Sequence, residues 1–218
     1  MSAPISDQTG ASQPAAEFTA ADVEVLRRDT LFQGFYRMDK LWLRHRRFDG
    51  GPAQEIAREL FVRPSASGVI LYDAPADRVL LIEQFRAGAL ASPHPWQIEV
   101  IAGLIGPGET PAGVAVRETE EEAGVVIAEA DLEQVASFLT SAGGSDERFT
   151  LFAAPADLSL AGGLHGLPGE GEDIRAATWA LDDALALVAS GRIDNAVCIL
   201  ALQWLTLNRD RLRRQWAR

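Results

Sequence analysis

The chain has 218 residues, 47% of them hydrophobic and 23% charged, which is the composition of an ordinary globular protein. A formal net charge of −11 argues against nucleic-acid binding, because that function needs clustered Lys and Arg. A single cysteine excludes an intrachain disulfide and favours a reducing compartment, and the sequence shows neither a signal peptide nor a run of about 18 apolar residues, so we expect a cytoplasmic protein without a membrane span.

The N-terminal part of the chain divides into a tail and a strand-forming region. Residues 1–20 are rich in Ser, Ala, Pro, Gln and Thr, and we predict that residues 1–30 form a partly disordered tail. The aromatic-rich segment 35–48 alternates irregularly between apolar and charged residues, which predicts one or two strands with a basic face.

The rest of the chain contains more predicted strands than predicted helices. Apolar runs typical of strands occur at 67–73, 78–85, 96–103, 133–139, 148–154 and 175–180. The turn-forming sequence APAD joins the first two runs and predicts a hairpin. Helices are predicted over 181–191 and 194–217, and a long glycine-rich loop over 162–173. Because helices and strands do not alternate regularly, the fold class is α+β, with helices packed on a mixed sheet.

A glycine-rich turn precedes the most informative helix. The turn, GLIGPGET (103–110), nearly matches a phosphate-binding loop, but Glu109 stands where the loop lysine is needed. Thr110 and Pro111 then form a helix start, and Gly124 is a natural stop.

The helix carries a run of glutamates with two readings. At about 100° per residue, Glu118, Glu121 and Glu122 fall on one side and Glu120 on another. The run is either a solvated acidic face or a set of hard oxygen ligands for Mg²⁺ or Mn²⁺. Small apolar residues at 114–116 give the helix a buried side, and Arg117 is placed to orient the carboxylates, which favours the metal site.

The spacing of these residues resembles the Nudix box, G-x5-E-x7-R-E-U-x-E-E-x-G-U, where U is a bulky aliphatic residue. The matching positions are Gly103, Glu109, Arg117, Glu118, Glu121, Glu122, Gly124 and Val125. Thr119 departs from the pattern, because the family has an aliphatic residue there. The resemblance implies a Nudix fold, an α/β/α sandwich around a mixed sheet.

Further motifs resemble those of bacterial ADP-ribose pyrophosphatases over roughly residues 30–217. They are LIEQFR (81–86), W-x-x-E-x-x-AG (96–103), SAGGSDER (141–148), GLHGLPGEGEDIR (163–175) and GRIDNAVCILALQWL (191–205). This family hydrolyses ADP-ribose to AMP and ribose 5-phosphate with Mg²⁺, and it forms homodimers that exchange an N-terminal antiparallel β arm. The resemblance therefore implies an arm at 31–64 and a catalytic domain at 65–218.

The same resemblance implies the site residues. The implied metal ligands are the backbone carbonyl of Ala102 and the carboxylates of Glu118, Glu122 and Glu172. The implied catalytic residues are Glu170, as general base, and Glu121, which joins through another ion or a water. The implied substrate contacts are Arg58 (from the partner chain), Arg86, Leu104, Ser141, Ala142, Gly143 and Glu147.

One substitution leaves the substrate open. Ala142 stands where the family usually has a proline that marks ADP-ribose specificity. Another nucleoside diphosphate sugar, such as ADP-glucose or GDP-mannose, is therefore an alternative substrate. A non-catalytic ADP-ribose sensor is a further alternative, although such a module should lose box glutamates and this chain keeps them. The sequence assigns no role to His165, which lies in the glycine-rich loop over 162–173 (the late loop).

Overall fold

The computed structural model describes residues 18–167, 169 and 171–217. The chain divides into two compact units, with the boundary between Val62 and Arg63. Within the described residues, no helix is long and apolar enough to cross a membrane.

The N-terminal unit is a three-stranded antiparallel sheet, counted over its described residues. The strands, in the order β1-β2-β3, are β1 (Val23–Gln33), β2 (Arg37–His45) and β3 (Ile56–Val62), and a short 3₁₀ turn (Ala20–Asp22) capped by Thr19 precedes them. An antiparallel arm was expected from the resemblance. Strand β1 begins inside the segment predicted as a tail, and the first 17 residues of that segment lie outside the described residues.

A buried carboxylate joins the first two strands of this sheet. Asp39 on β2 is fully buried and accepts hydrogen bonds from Arg28 Nε at 2.6 Å, Thr30 Oγ1 at 3.0 Å and Arg37 Nε at 3.1 Å. Two arginines thus neutralise the buried charge, and the bonds from Arg28 and Thr30 join β1 to β2. In contrast, Val25 and Phe32 on β1 are 58% and 63% exposed.

The C-terminal unit is a mixed sheet with helices on both faces. Its strands are β4 (Ala66–Asp73), β5 (Arg78–Phe85), β6 (Trp96–Glu99), β7 (Ile101–Leu104), β8 (Glu133–Leu139), β9 (Arg148–Pro155), β10 (Gly163–His165) and β11 (Ile174–Ala180). Its helices are α1 (Pro111–Ala123), α2 (Leu181–Ala189) and α3 (Ala196–Trp216), and two short 3₁₀ turns lie at Ala87–Ala89 and Glu129–Asp131. The described strands run in the order β10-β11-β5-β4-β9-β8, with β6 paired to β5 and β7 to β4.

The central strand β4 shows why both faces are covered. All eight of its residues are buried, and its central residues 69–72 are apolar in succession instead of alternating with polar ones. Ile70 and Tyr72 pack in a core with α2 and α3, whereas Val69 and Leu71 pack in a second core with α1. The predicted α/β/α sandwich is therefore confirmed, with α1 on one face of the sheet and α2 and α3 on the other.

The local predictions match most elements of this unit. The hairpin of β4 and β5 is confirmed by its antiparallel pairing, and the glutamate helix ends at the predicted residue, Ala123. The segment predicted as one strand over 96–103 is two strands, because β6 pairs with β5 while β7 pairs with β4. The predicted long loop over 162–173 contains the short strand β10, which pairs with β11.

Candidate active site

Helix α1 is fixed at both ends by the residues that its sequence predicts. Thr110 Oγ1 accepts a hydrogen bond from Gly113 N at 3.0 Å, and Pro111 occupies the first turn, where its missing N–H has no cost. Gly124 ends the helix with a left-handed φ of 64°, and its N–H binds Glu120 O. The fixed ends set the direction in which the glutamates project.

Glu122 is the most buried carboxylate of the helix. Its side chain belongs to a residue only 2% exposed, and Oε2 accepts a hydrogen bond from the backbone N of Ala102 on β7 at 3.0 Å. Burial raises the pKa of Glu122 to about 8, and the charges of Glu118 and Glu172 act in the same direction. The helix therefore places an acidic oxygen directly against the strand that carries the predicted backbone ligand.

Glu118 lies over the same strand because Gly103 leaves room for it. A Cβ added at Gly103 would lie 1.7 Å from Glu118 Oε1, a distance that no side chain allows. Burial raises the pKa of Glu118, and Glu121 and Glu172 add to that rise against the opposing charge of Arg117. The first glycine of the motif is thus required by the glutamate fifteen residues later.

Arg117 holds three carboxylates at once. Its Nε lies 3.1 Å from Glu109 Oε1, and its Nη1 lies 2.9 Å from Glu118 Oε1 and 2.7 Å from Glu121 Oε2. Glu109 also accepts a hydrogen bond from Gly106 N at 2.7 Å, which with Arg117 holds the pKa of its carboxyl below the usual range. Glu109 therefore anchors the arginine that orients the helix glutamates.

Glu172, on the late loop, lies near the carboxylates of Glu118 and Glu122. Its Oε2 accepts a hydrogen bond from Leu167 N at 3.1 Å, and its charge contributes to the raised pKa values of Glu118 and Glu122. The predicted general base, Glu170, lies outside the described residues, so its role stays a prediction.

The donor set fits a hard divalent cation. Within the part of the chain that the structure describes, no three acidic, histidine or cysteine side chains already converge at metal-binding distance. The predicted ligands instead bind protein donors: Ala102 N for Glu122, Arg117 for Glu118 and Leu167 N for Glu172. They are nevertheless close enough that Glu172 raises the pKa of both Glu118 and Glu122 and Glu118 raises that of Glu122, and a cation relieves that repulsion.

Arg86 lies close enough to the carboxylates for its charge to lower the pKa of Glu122. Its Nε donates a hydrogen bond to Glu99 Oε2 at 2.7 Å, which orients the guanidinium at the end of β5. Another predicted substrate contact, Leu104, ends β7 and pairs with Ala66.

The remaining predicted contacts lie on the connection from β8 to β9 and on the N-terminal unit. Ser141, Ala142 and Gly143 are exposed there. Glu147 is buried, and its carboxylate binds Arg63 Nε at 3.1 Å and Thr140 Oγ1 at 2.8 Å. Arg58 lies on β3, where its Nη1 donates to Ala57 O.

Two partners of the predicted site were not part of the sequence predictions. Glu99 binds Arg86, and Arg63 binds Glu147. The W-x-x-E motif contains Glu99 and is the signal that could have pointed to it. The departure at Thr119 is harmless, because its buried hydroxyl donates to Ala115 O at 2.7 Å.

The chain is similar to known proteins over most of its length. The family model described as NUDIX domain matches residues 62–199. A protein of Haemophilus influenzae named ADP-ribose pyrophosphatase is 40% identical over 205 residues, covering 92% of this chain and 94% of its own. One of the same name from Escherichia coli K12 is 41% identical over 201 residues, covering 92% and 95%. A GDP-mannose pyrophosphatase of Yersinia enterocolitica is 28% identical over 190 residues, covering 85% and 96%.

Proposed function

The chain belongs to the Nudix family and is a hydrolase, and from that membership we propose that it cleaves the diphosphate of ADP-ribose to AMP and ribose 5-phosphate with Mg²⁺. The observation that carries the proposal is the position of Glu122, buried against β7 among further carboxylates. A carboxylate in such surroundings is costly to ionise unless a cation neutralises it.

Each predicted ligand has a part in holding that cation. We assign the carboxylates of Glu118, Glu122 and Glu172 and the carbonyl of Ala102 as ligands, with Mn²⁺ as an alternative to Mg²⁺. The bound cation supplies Lewis acidity toward the diphosphate oxygens and lowers the pKa of a bound water. Glu121 is already paired with Arg117, so it acts through a second ion or a water.

The remaining residues bind the substrate and accept the proton of the attacking water. The planar guanidinium of Arg86 can donate two parallel hydrogen bonds to a diphosphate, and its position beside Glu99 presets its orientation. Glu170 is the proposed acceptor of the proton from the attacking water. A Glu170→Gln variant should then lose kcat with little change in KM.

The choice of ADP-ribose rests on the relatives. Relatives named ADP-ribose pyrophosphatase share 40% and 41% identity with the chain, whereas a relative named GDP-mannose pyrophosphatase shares 28%. Ala142 keeps the second substrate class open, because the loop lacks the proline that the family uses for ADP-ribose. A non-catalytic sensor is disfavoured, since the box glutamates Glu118, Glu121 and Glu122 are all present.

A panel of nucleotide sugars tests the substrate. ADP-ribose, ADP-glucose and GDP-mannose are compared by kcat/KM with Mg²⁺ and with Mn²⁺, and the products are identified by chromatography. We expect ADP-ribose to give the highest kcat/KM, with AMP as product. A higher kcat/KM for GDP-mannose than for ADP-ribose would make GDP-mannose the assigned substrate. Absence of any hydrolysis would refute the proposed reaction. If the loop sets preference, Ala142→Pro should increase the ratio of kcat/KM values for ADP-ribose over GDP-mannose.

We further propose a homodimer in which the N-terminal sheet is exchanged. Exposed apolar side chains on β1, including Val25 and Phe32, are of the kind that a partner surface covers. Val25→Glu should shift the mass measured by light scattering toward the monomer, whereas Leu207→Glu, at an 86% exposed position on α3, should not. A monomeric wild-type protein would contradict the dimer. The predicted cytoplasmic location stays a prediction.

A mixed dimer tests whether Arg58 serves the partner's site. Arg58→Ala and Glu122→Gln chains, each inactive on its own, are co-expressed with different tags and purified through both. If Arg58 acts across the dimer, one of the two sites keeps an intact Arg58 and an intact Glu122, and about half of the wild-type activity returns. No recovery in the mixed dimer would place Arg58 in its own chain's site, and an active Arg58→Ala protein would place it outside both sites.

A further inference from the structure

The late loop starts at a histidine that the sequence leaves without a role. His165 ends β10 and pairs with Ile174 on β11. Its Nε2 lies 3.2 Å from the carbonyl oxygen of Gly162, and because a carbonyl only accepts, Nε2 carries the proton. This hydrogen bond closes a segment in which Gly162 and Gly163 have φ values of 136° and 117°. Glycine has no side chain that restricts the backbone there, so the hydrogen bond supplies the restraint.

The other side of the imidazole ring packs on the end of α1. A Cβ added at Gly124 would lie 3.0 Å from His165 Cε1 and 3.6 Å from Nδ1. The ring therefore covers the residue that terminates the glutamate helix, two positions after Glu122. Gly124 is needed both for its left-handed φ and for the space that the ring occupies.

From His165, a short series of contacts leads to the predicted metal ligand. The next residue, Gly166, donates its N–H to Glu121 O at 3.4 Å, so the loop is bonded to α1. Leu167 and Glu172 then close the loop with two hydrogen bonds, Leu167 N to Glu172 Oε2 at 3.1 Å and Glu172 N to Leu167 O at 3.4 Å. A Cβ at Gly166 would lie 2.9 Å from Glu172 Cβ, so the two sides of the loop are in close contact at these residues.

We propose that His165 is a positioning residue that fixes the late loop to the end of α1, so that the Glu172 carboxylate stays beside Glu118 and Glu122. The ring acts as a clamp between Gly162 on one side and Gly124 on the other, and it contacts neither substrate nor cation. Its kinetic effect rests on the proposed function, whereas its structural effect does not.

Three variants separate the two contacts of the ring. His165→Ala removes both, His165→Gln keeps a donor for Gly162 O, and His165→Phe keeps a ring against Gly124. His94→Ala is the matched control, since His94 is exposed and has no place in the site. Amide hydrogen exchange of the peptide covering 163–172 is measured by mass spectrometry in the absence of any nucleotide, together with the thermal midpoint of each variant.

We expect His165→Ala to speed amide exchange in the late loop. The exchange rate of the α1 peptide and the thermal midpoint should both stay within error of the wild-type values. With ADP-ribose and Mg²⁺, kcat should fall on the order of ten- to a hundred-fold, the Mg²⁺ concentration for half-maximal rate should rise, and KM for ADP-ribose should stay within about twofold. His165→Gln or His165→Phe should recover part of the loss.

Unchanged exchange in His165→Ala would overturn the proposal, whatever the kinetics. A loss of kcat accompanied by an equal loss of the folded fraction, without recovery in either conservative variant, would reduce His165 to a general structural residue and overturn it as well. If the wild-type protein hydrolyses no nucleotide sugar but exchange in the loop still depends on His165, the proposed function fails and the positioning role stands.

Discussion

Replacing the ionisable Glu122 with glutamine should stabilise the metal-free protein at high pH, where the buried carboxylate is ionised. Glu122 has a pKa raised to about 8 by burial, above the ordinary value of 4.5. The folded state therefore binds a proton more tightly than the unfolded state, and stability rises as pH falls from the folded pKa toward the unfolded one. Above pH 8 the buried carboxylate is ionised and this stabilisation is absent.

The magnitude follows from the two pKa values. With a pKa of about 8 in the folded state and 4.5 in the unfolded state, proton linkage gives about 2.5 kcal/mol more stability at pH 6 than at pH 8.5 from this residue alone. Glutamine is nearly the same size and carries no charge, so Glu122→Gln should lack this component. The difference between the two proteins should be largest at the higher pH.

Urea unfolding in EDTA at about pH 6 and about pH 8.5 measures the effect, because it reports the free energy of unfolding directly. Glu120→Gln is the control, since Glu120 is exposed on the same helix and should keep the wild-type pH dependence. The same variants with added Mg²⁺ test the site: wild type should be stabilised and Glu122→Gln should not. If Glu122→Gln kept the full wild-type pH dependence, the buried carboxylate would not be the source.

Three further substitutions probe the support of the carboxylates. Gly103→Ala should lower kcat on the order of a hundred-fold by displacing Glu118, whereas Gly88→Ala, where an added Cβ meets nothing within 4 Å, should keep wild-type kcat; equal rates would refute the steric argument. Arg117→Lys should cost at least about tenfold in kcat, because an ammonium cannot hold three carboxylates in a fixed fork; a rate within error of wild type would contradict this. Arg86→Lys should raise KM for the diphosphate substrate more than it lowers kcat, and an unchanged KM would remove it from substrate binding.

The catalytic unit was more predictable than the arm for a physical reason. Strand β4 is buried on both faces and has an apolar run at its centre, 69–72, and helix α1 is bounded by cap residues that act locally. Strand β1 has no buried residue and includes the charged sequence Arg27-Arg28-Asp29, so its apolar pattern is too weak to indicate a strand. Its stability comes instead from pairing with β2 and from the buried Asp39, neither of which is visible locally.

The same distinction holds in the site. The glutamate positions follow from helical periodicity and motif spacing, and both are encoded within one short segment. The bond from Glu122 to Ala102 N and the pairs Arg86–Glu99 and Arg63–Glu147 join residues that only the folded chain brings together. Sequence spacing cannot predict such contacts, because it does not specify which strands and loops become neighbours in the folded chain.

The glutamate at the lysine position of the phosphate-loop pattern illustrates how charge is arranged here. Glu109 does not face the ligand set directly; it fixes Arg117, and Arg117 neutralises part of the charge of Glu118 and Glu121. Glu122 has a backbone N–H as its hydrogen-bond donor and a pKa raised by burial to about 8 despite the charge of Arg86, so the protein alone does not hold this carboxyl ionised at neutral pH. A phosphate loop with a lysine would attract the diphosphate itself. Under the proposed function the carboxylates of α1 bind a cation first, and affinity for the diphosphate should therefore increase with the cation concentration.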